Sequence, residues 1–301
     1  MDERVQRIQQ LKKEKDAVIM AHYYVDDEVQ AIADYVGDSY YLSDMATKVR
    51  ENTIVLCGVS FMGESARILN PDKRVLLPEP EADCPMAHMA AIEKIEAVRK
   101  EYEDVAVVCY VNSTAELKVH ADVCVTSSNA MKIVQALPNK NIYFIPDQHL
   151  GRYIAEKLPE KNFIFNDGYC HVHTRIKPED IAKTKKEHPQ AKVLVHPECK
   201  KEVSDLADYV GSTAGIIAYA TDSEAKEFIV CTEMGVLYEL RKQNPDKQFY
   251  LAGDMQICPD MKKITLEKVI RVLEQGEEVQ MQEYLLKEAH APLLRMLELS
   301  R

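Results

Sequence analysis

Three cysteines, Cys84, Cys170 and Cys258, stand at equivalent points of a chain that states one pattern three times. A thiolate is a soft metal ligand, and three of them meeting at one point form a metal site with a ligand missing. Structural zinc wants four closed ligands, commonly in Cys-x-x-Cys pairs, and no such pair occurs here. An electron-transfer cluster normally has all its irons capped by four thiolates. Three thiolates suit a 4Fe–4S cluster whose fourth iron stays open to substrate and acts as a Lewis acid. Zinc on three cysteines plus His173 is the alternative ligand set. The other thiols, Cys57, Cys109, Cys124, Cys199 and Cys231, read as standing outside the repeat register. Four of them fall in or beside apolar runs and read as small buried hydrophobes, while Cys199 directly follows Glu198.

Each copy begins with an apolar run that ends on a polar residue: His22, Tyr110 and His196. An Ala-Asp pair follows at 33–34, 121–122 and 207–208, then a hydroxyl at Ser39, Ser127 and Thr213. Pro-Asp-Lys at 71–73, Pro-Glu-Lys at 159–161 and Pro-Asp-Lys at 245–247 precede the cysteines. The polar run ends come as i, i+2 pairs: His22 with Tyr24, Tyr110 with Asn112, His196 with Glu198. Residues two apart in extended chain point the same way, so each copy aims two polar groups at one face. One such pair would read as local loop bonding; three aligned pairs read as a site. Ser39, Ser127 and Thr213 fall where helices begin, which makes them N-caps, anion sites, or both. His173 lies near the metal by chain connectivity, and His171 competes with it. His88, His120, His149, His188 and His290 fall outside the repeat and read as surface residues.

These residues need elements to hold them. The pattern in each copy predicts strand, helix, short strand, helix, strand, helix, strand. Strands are expected at 17–21, 53–57, 74–77, 105–110, 141–145, 162–165, 192–195, 227–230 and 248–251. In the first copy helices are expected over 26–35, 39–49 and 61–69. Alternating strands and helices imply parallel sheets covered on both faces, with ligands beyond the carboxyl ends of the strands. The period is too long for a solenoid repeat. The expected architecture is therefore α/β: three repeated Rossmann-like three-layer αβα units about a pseudo-threefold axis, with a helical C-terminal tail. The units are expected at 1–84, 85–170 and 171–258, and the tail at 259–301. Tail helices are expected at 263–275 and 281–298, with Pro292 bending or splitting the second.

The 301-residue chain carries a formal net charge of −11. That charge, and the absence of a Lys/Arg tract, argue against nucleic acid as a partner. Small anions answer to local field instead and stay admissible. No run of about 18 apolar residues occurs, and the start is charged throughout, so neither a membrane span nor a leader is expected. Eight cysteines without a leader suggest reduced thiols in a cytoplasmic enzyme.

Ala-His-Tyr-Tyr at 21–24, Gly-Asp-Ser at 37–39, Tyr-Val-Asn-Ser-Thr at 110–114, His-Pro-Glu-Cys at 196–199 and Gly-Ser-Thr at 211–213 resemble the quinolinate synthase family. Cys-Pro-Met-Ala at 84–87 and Cys-x-x-Met-Lys at 258–262 extend the resemblance, in order, through the whole chain. It implies three Rossmann-like domains around a central active site and a 4Fe–4S cluster on Cys84, Cys170 and Cys258. It also implies condensation of iminoaspartate with dihydroxyacetone phosphate to quinolinate for NAD biosynthesis, with loss of phosphate and two waters. An aspartate oxidase or dehydrogenase would supply the iminoaspartate. On this resemblance Glu198 is the general base, Tyr24 shuttles protons, and His22, His173 and His196 hold carboxylates. Tyr110 and Asn112 add neutral hydrogen bonds, and Ser39, Ser127 and Thr213 bind phosphate or carboxylate. Some members carry a Cys-x-x-Cys-x-x-Cys run at the last ligand; Cys258 stands alone, so that redox regulation is not expected. The competing reading is a small-anion binding protein with structural cysteines or zinc.

Overall fold

The computed structural model describes residues 2–301. The first unit runs α1 (Glu3–Glu14), β1 (Ala17–His22), α2 (Asp27–Ile32), β2 (Tyr35–Gly37), α3 (Ser39–Ala46), β3 (Thr53–Cys57), α4 (Ser60–Leu69) and β4 (Arg74–Leu76). The second repeats that order as α5 (Ile92–Glu101), β5 (Val105–Tyr110), α6 (Ala115–Val119), β6 (Val123–Val125), α7 (Ala130–Ala136), β7 (Asn141–Ile145), α8 (Gln148–Lys157) and β8 (Asn162–Phe165). The third is α9 (Pro178–Glu187), β9 (Lys192–Val195), α10 (Lys201–Ser204), β10 (Tyr209–Val210), α11 (Thr213–Asp222), β11 (Glu227–Cys231), α12 (Val236–Gln243) and β12 (Gln248–Leu251). The tail is α13 (Leu266–Gln275), α14 (Glu283–Glu288) and α15 (His290–Ser300).

Each unit holds one parallel four-stranded sheet, and all three share one order: β2-β1-β3-β4, β6-β5-β7-β8 and β10-β9-β11-β12. The central strands β1 and β5 are buried along their whole length, which explains their continuous apolar sequence. In the third sheet Val193, Val195, Ile229 and Cys231 pack on one face, and Leu194, Phe228 and Val230 on the other, the period-two alternation of a strand. The α/β architecture of three repeated αβα units thus matches the expectation.

Three details differ. A helix opens every unit (α1, α5, α9), and the predicted order lacked it. Its apolar stripe is thin: α1 buries only Ile8 and Leu11, and α9 only Ile181. The first-copy helices stop early, at Ile32 and Ala46, because the chain must turn into β2 and toward β3. In the tail the break falls at Ala289, while Pro292 sits in the first turn of α15, where a missing N–H costs nothing.

The repeated Asp and Lys markers turn out to be architectural. The Asp34 carboxylate accepts the Ile19 N–H at 2.8 Å, Asp122 that of Val107 at 2.7 Å, and Asp208 that of Val193 at 2.8 Å. Each Asp returns its own N–H to the same residue's carbonyl, which staples the entry of the short second strand onto the first. The repeated lysines close helix ends. Lys73 Nζ donates to the Val49 and Glu51 carbonyls, Lys161 to Leu137 and Asn139, and Lys247 to Ala220, Thr221 and Ser223. Ala220 and Thr221 lie in the last turn of α11, where helices leave acceptors unpaired and favour positive charge, and the other carbonyls lie in the segments that follow α3, α7 and α11. Lys161→Met is accordingly expected to cost about 1–3 kcal/mol, since it strips a charged donor from two carbonyls. Urea unfolding would measure it, and activity per folded molecule should stay at the wild-type level.

The tail covers sheet edges, which otherwise invite pairing with other chains. Val279 donates to the Val75 carbonyl at 2.8 Å, and Leu76 bridges Glu278 antiparallel, closing the β4 edge. Helix α15 packs on β6, the edge strand of the second sheet, and α13 packs on α1 and β3. Among the described residues no helix is long and apolar enough to cross a membrane.

Candidate active site

The strand ends of all three units open onto one central cavity of about 770 Å³, its mouth included. His22 closes β1, Tyr110 closes β5, and His196 follows β9 by one residue. The cavity wall contains His22, Tyr24, Ser39, Tyr110, Asn112, Ser127, His173, His196, Glu198 and Thr213, together with Cys84, Cys170 and Cys258. Every residue singled out from the sequence as a candidate is therefore brought to one place.

The i, i+2 pairs have a common internal geometry. The Tyr24 N–H donates to His22 Nδ1 at 3.2 Å, and the Glu198 N–H donates to His196 Nδ1 at 3.3 Å. An accepting Nδ1 puts the proton of each neutral ring on Nε2. For His196 that nitrogen faces Ser127 Oγ at 3.2 Å. Burial drives both imidazoles down to about 3, with the Lys262 charge adding to the effect at His22 and His173 at His196. At neutral pH both are thus uncharged donors.

Between the ordinary histidine value of 6.5 and about 3, the unfolded chain binds protons that folded His22 and His196 do not. Stability contributed by these rings is complete above 6.5 and is lost as pH falls through that window, at up to about 1.4 kcal/mol per pH unit for each ring. His196→Asn should flatten the acid limb of a stability–pH curve, measured by denaturant unfolding between pH 7 and 4.

A continuous line of hydrogen bonds crosses the cavity wall. The Tyr24 hydroxyl lies 2.7 Å from Thr213 Oγ1 and 2.8 Å from Thr232 Oγ1. Thr232 Oγ1 is 2.8 Å from His173 Nε2, and His173 Nδ1 is 2.7 Å from a Glu198 oxygen. His173 Nδ1 faces the carboxylate and its Nε2 faces the Thr232 hydroxyl. Burial by itself would raise the Glu198 carboxyl, but the charge and hydrogen bond of His173 hold it down at about 2, so it is ionised. Burial and the nearby Glu198 charge push the Tyr110 phenol well above its ordinary value. Asn112 contributes an amide oxygen that is buried and has no partner, an acceptor held ready in the cavity wall.

The hydroxyls differ in detail from the expectation. Ser39 and Thr213 are first-turn residues; the caps are Asp38, accepting from Tyr41 N–H at 2.9 Å, and Ser212, accepting from Gly215 N–H at 3.1 Å. Ser127 lies in the turn before α7, whose cap position is Asn129. All three hydroxyls are therefore free of capping duty.

Cys84, Cys170 and Cys258 are half-buried, and no other cysteine reaches the cavity. Burial raises all three thiols, Cys258 to about 11, and the proximity of Cys258 raises Cys84 further, as Glu198 and then Cys84 do for Cys170. A bound cation would favour the thiolate form of all three, so the donor set fits a bound metal or cluster. Three thiols on one cavity wall are a donor set that a soft metal centre fits. A competing trio, Cys170, His173 and Glu198, has ligand atoms within 4.8 Å of one another. A single ion there would have to break the His173–Glu198 bond.

The remaining thiols, Cys57, Cys109, Cys124, Cys199 and Cys231, are buried. The repeat reading needs one correction: Cys57 and Cys231 do share a register. Cys57 pairs beside Ala21 and Cys231 beside Val195, the positions that Ile145 fills in the second sheet. Their common role is packing at a strand end. His173 is bonded within the network, whereas His171 also lines the cavity but is only partly buried.

Other residues at the site were given no role by the sequence reading. Thr232 links Tyr24 to His173, and Asp38 accepts from Ser128 Oγ across two units. Glu233 lines the cavity and pairs with Lys262 at 3.3 Å. Thr232 follows β11 where the other copies have Gly58 and Pro146, so the repeat gave it no chemical counterpart.

Comparison with known proteins agrees along the whole chain. A family model described as "Quinolinate synthetase A protein" matches residues 6–298. The chain is similar to the quinolinate synthase of Clostridioides difficile (strain 630), 52% identical over 295 residues, covering 98% of this chain and 97% of that protein. It is equally similar to the quinolinate synthase of Fusobacterium nucleatum subsp. nucleatum, 52% identical over 295 residues and 98% of each chain. The quinolinate synthase of Caldicellulosiruptor saccharolyticus is 51% identical over 300 residues and 99% of each chain.

Proposed function

The chain belongs to the quinolinate synthase family, enzymes of NAD biosynthesis, and on that premise we propose that it condenses iminoaspartate with dihydroxyacetone phosphate. The product is quinolinate, formed with loss of phosphate and two waters, and Cys84, Cys170 and Cys258 hold a 4Fe–4S cluster. The observation that carries this reading is the convergence of three units' polar strand ends and three repeat-matched thiols on one cavity. The units are taken as 1–84, 85–170 and 171–258, so that each ends in its cysteine, with 259–301 as the tail.

When bound, a cluster with an open iron supplies a Lewis acid that polarises a substrate oxygen. The chain's own residues do the rest. Neutral His22 and His196 offer Nε2–H donors to carboxylates without placing a fixed positive charge in the cavity. The hydroxyls of Ser39 and Thr213, in the first turns of α3 and α11, suit phosphate or carboxylate oxygens, and Ser127 adds a third. Ring formation demands repeated proton removal, and Glu198 is ionised as a general base must be. Because it shares a proton with His173, the base strength belongs to the pair. Tyr24, bonded through Thr232 to His173, can pass a proton along that line. The Asn112 oxygen and the Tyr110 hydroxyl orient neutral groups of the substrate.

Iminoaspartate is oxidised aspartate, so an aspartate oxidase or dehydrogenase would supply it. The reduced cluster thiols fit a cytoplasmic setting.

The test is iron, sulfide and product on protein purified without oxygen. About four irons and four sulfides per chain, with quinolinate formed only when both substrates are present, is the expected result. Zinc, or no metal after reconstitution and no turnover, would return the small-anion binding reading. Asn112→Ala should raise KM by about tenfold with kcat little changed, because it removes one binding hydrogen bond rather than a reacting group. Steady-state kinetics would measure it.

A further inference from the structure

We propose that Glu233 and Lys262 form a latch that couples the position of the Cys258 loop to that of Tyr24 across the boundary between the third and first units. The proposal rests on the reading of Cys258 as a cluster ligand, although the latch itself is a feature of the protein chain.

Three oxygens meet at one ammonium, since Lys262 Nζ also lies 3.4 Å from Asp26 Oδ1 on the loop after β1. Glu233 is wholly buried, and both its oxygens are engaged: Oε1 accepts the Cys258 N–H at 3.1 Å, and Oε2 accepts the Gly235 N–H at 2.6 Å. Lys262 Nζ lies 3.3 Å from Glu233 Oε1 and donates to the Tyr24 carbonyl at 2.8 Å. One ammonium thus ties the carboxylate that holds the cysteine loop to the backbone of the residue that begins the hydrogen-bond line. Gly235 completes the contact by close approach. A Cβ there would stand 2.6 Å from the Tyr23 carbonyl oxygen and 2.8 Å from Tyr24 Cα, which no side chain tolerates. The Gln30 amide then donates to the carbonyls of Tyr23, Val25 and Gly235, pinning the two loops side by side.

A buried carboxylate is costly unless paired, and breaking such a pair leaves an uncompensated charge. The pair is therefore poorly explained as surface decoration. Its energy is placed where the loop after β11, the cysteine loop and the loop after β1 meet. Metal-ligand loops are oriented by hydrogen bonds to the ligand residue's own backbone, and here that hydrogen bond is shared with a residue of the catalytic wall. Glu233 and Lys262 are positioning residues: they act through Cys258 and Tyr24.

The experiment uses the full chain after anaerobic reconstitution, as wild type, Glu233→Gln, Lys262→Met and Lys262→Arg. Backbone hydrogen exchange is read over residues 22–26 and 256–260. The expected result is a joint rise of about tenfold in both segments for Glu233→Gln and Lys262→Met, the scale of one lost charge-assisted hydrogen bond. Lys262→Arg, which can still bridge the two loops, should restore most of the protection. A rise confined to 256–260, with 22–26 unchanged, would overturn the latch, as would unchanged exchange in both segments. Should Glu233→Gln fail to fold, Lys262→Met, on the more accessible partner, decides alone. Iron content of the wild-type protein is measured alongside: its absence would overturn the cluster reading, while the exchange comparison would still judge the latch.

Discussion

Replacing Cys84, Cys170 or Cys258 by alanine, one at a time, should abolish both the cluster and quinolinate formation, whereas Cys57→Ala should keep both. Each of the three thiols is half-buried on the cavity wall, and the cavity offers no other cysteine as a substitute. With two thiolates left, a second iron would be uncapped and solvent-labile, so activity is expected to fall by at least about a thousandfold. Cys57 is buried at the end of β3 and touches only core, so its loss leaves a small cavity worth about 1–2 kcal/mol of stability and nothing in the site. Iron and sulfide analysis, visible absorption and product formation on all four variants would check this. Undiminished turnover in any of the first three variants would sink the cluster assignment. So would loss of iron from a properly folded Cys57→Ala.

The equivalence of Cys84, Cys170 and Cys258, which all line one cavity, was legible in the sequence because repetition made position meaningful. The strands were legible for a different reason: buried parallel strands are short continuous apolar runs bounded by polar chain, and β1, β3, β5, β7 and β9 all read that way. Helices α1, α5 and α9 were not legible, because each buries one or two residues and its pattern drowns among Lys, Glu and Gln. The repeated Asp and Lys residues were visible as markers but not as struts. Nothing in Asp122 or Lys161 says that one accepts from Val107 and the other donates past α7; that requires the third dimension.

For the site, residues that occupy corresponding places in three copies stood out, and residues unique to one copy did not. Thr232 comes from the loop after β11, whose counterparts after β3 and β7 are Gly58 and Pro146. Triplication thus reveals what the units share and conceals what makes the third unit different. The third unit is where the difference matters. It supplies Glu198, His173 and Thr232 to the line that begins at Tyr24, while the first and second units add polar side chains such as Ser39, Tyr110 and Asn112 to the cavity wall.

Glu198→Gln tests that asymmetry most directly. The substitution keeps the size of the side chain and removes its charge, so iron content should stay at the wild-type level while kcat falls by about a thousandfold, within the usual range for a lost general base. Affinity for a small dicarboxylate should be retained or rise, because a buried negative charge has left the cavity; a pure binding protein would show that gain with no activity to lose. The pH dependence gives a second signature. Folded Glu198 is held at about 2 against an ordinary 4.5, so the stability it contributes is complete above 4.5 and is lost as pH falls toward 2. The glutamine variant lacks that contribution at neutral pH and shows no corresponding loss in the acid window. Equal kcat in the two proteins would remove Glu198 from the chemistry. A fall in kcat together with lost iron would instead make it a support for the cluster, since His173, its partner at 2.7 Å, also lies 3.2 Å from the Cys170 sulfur.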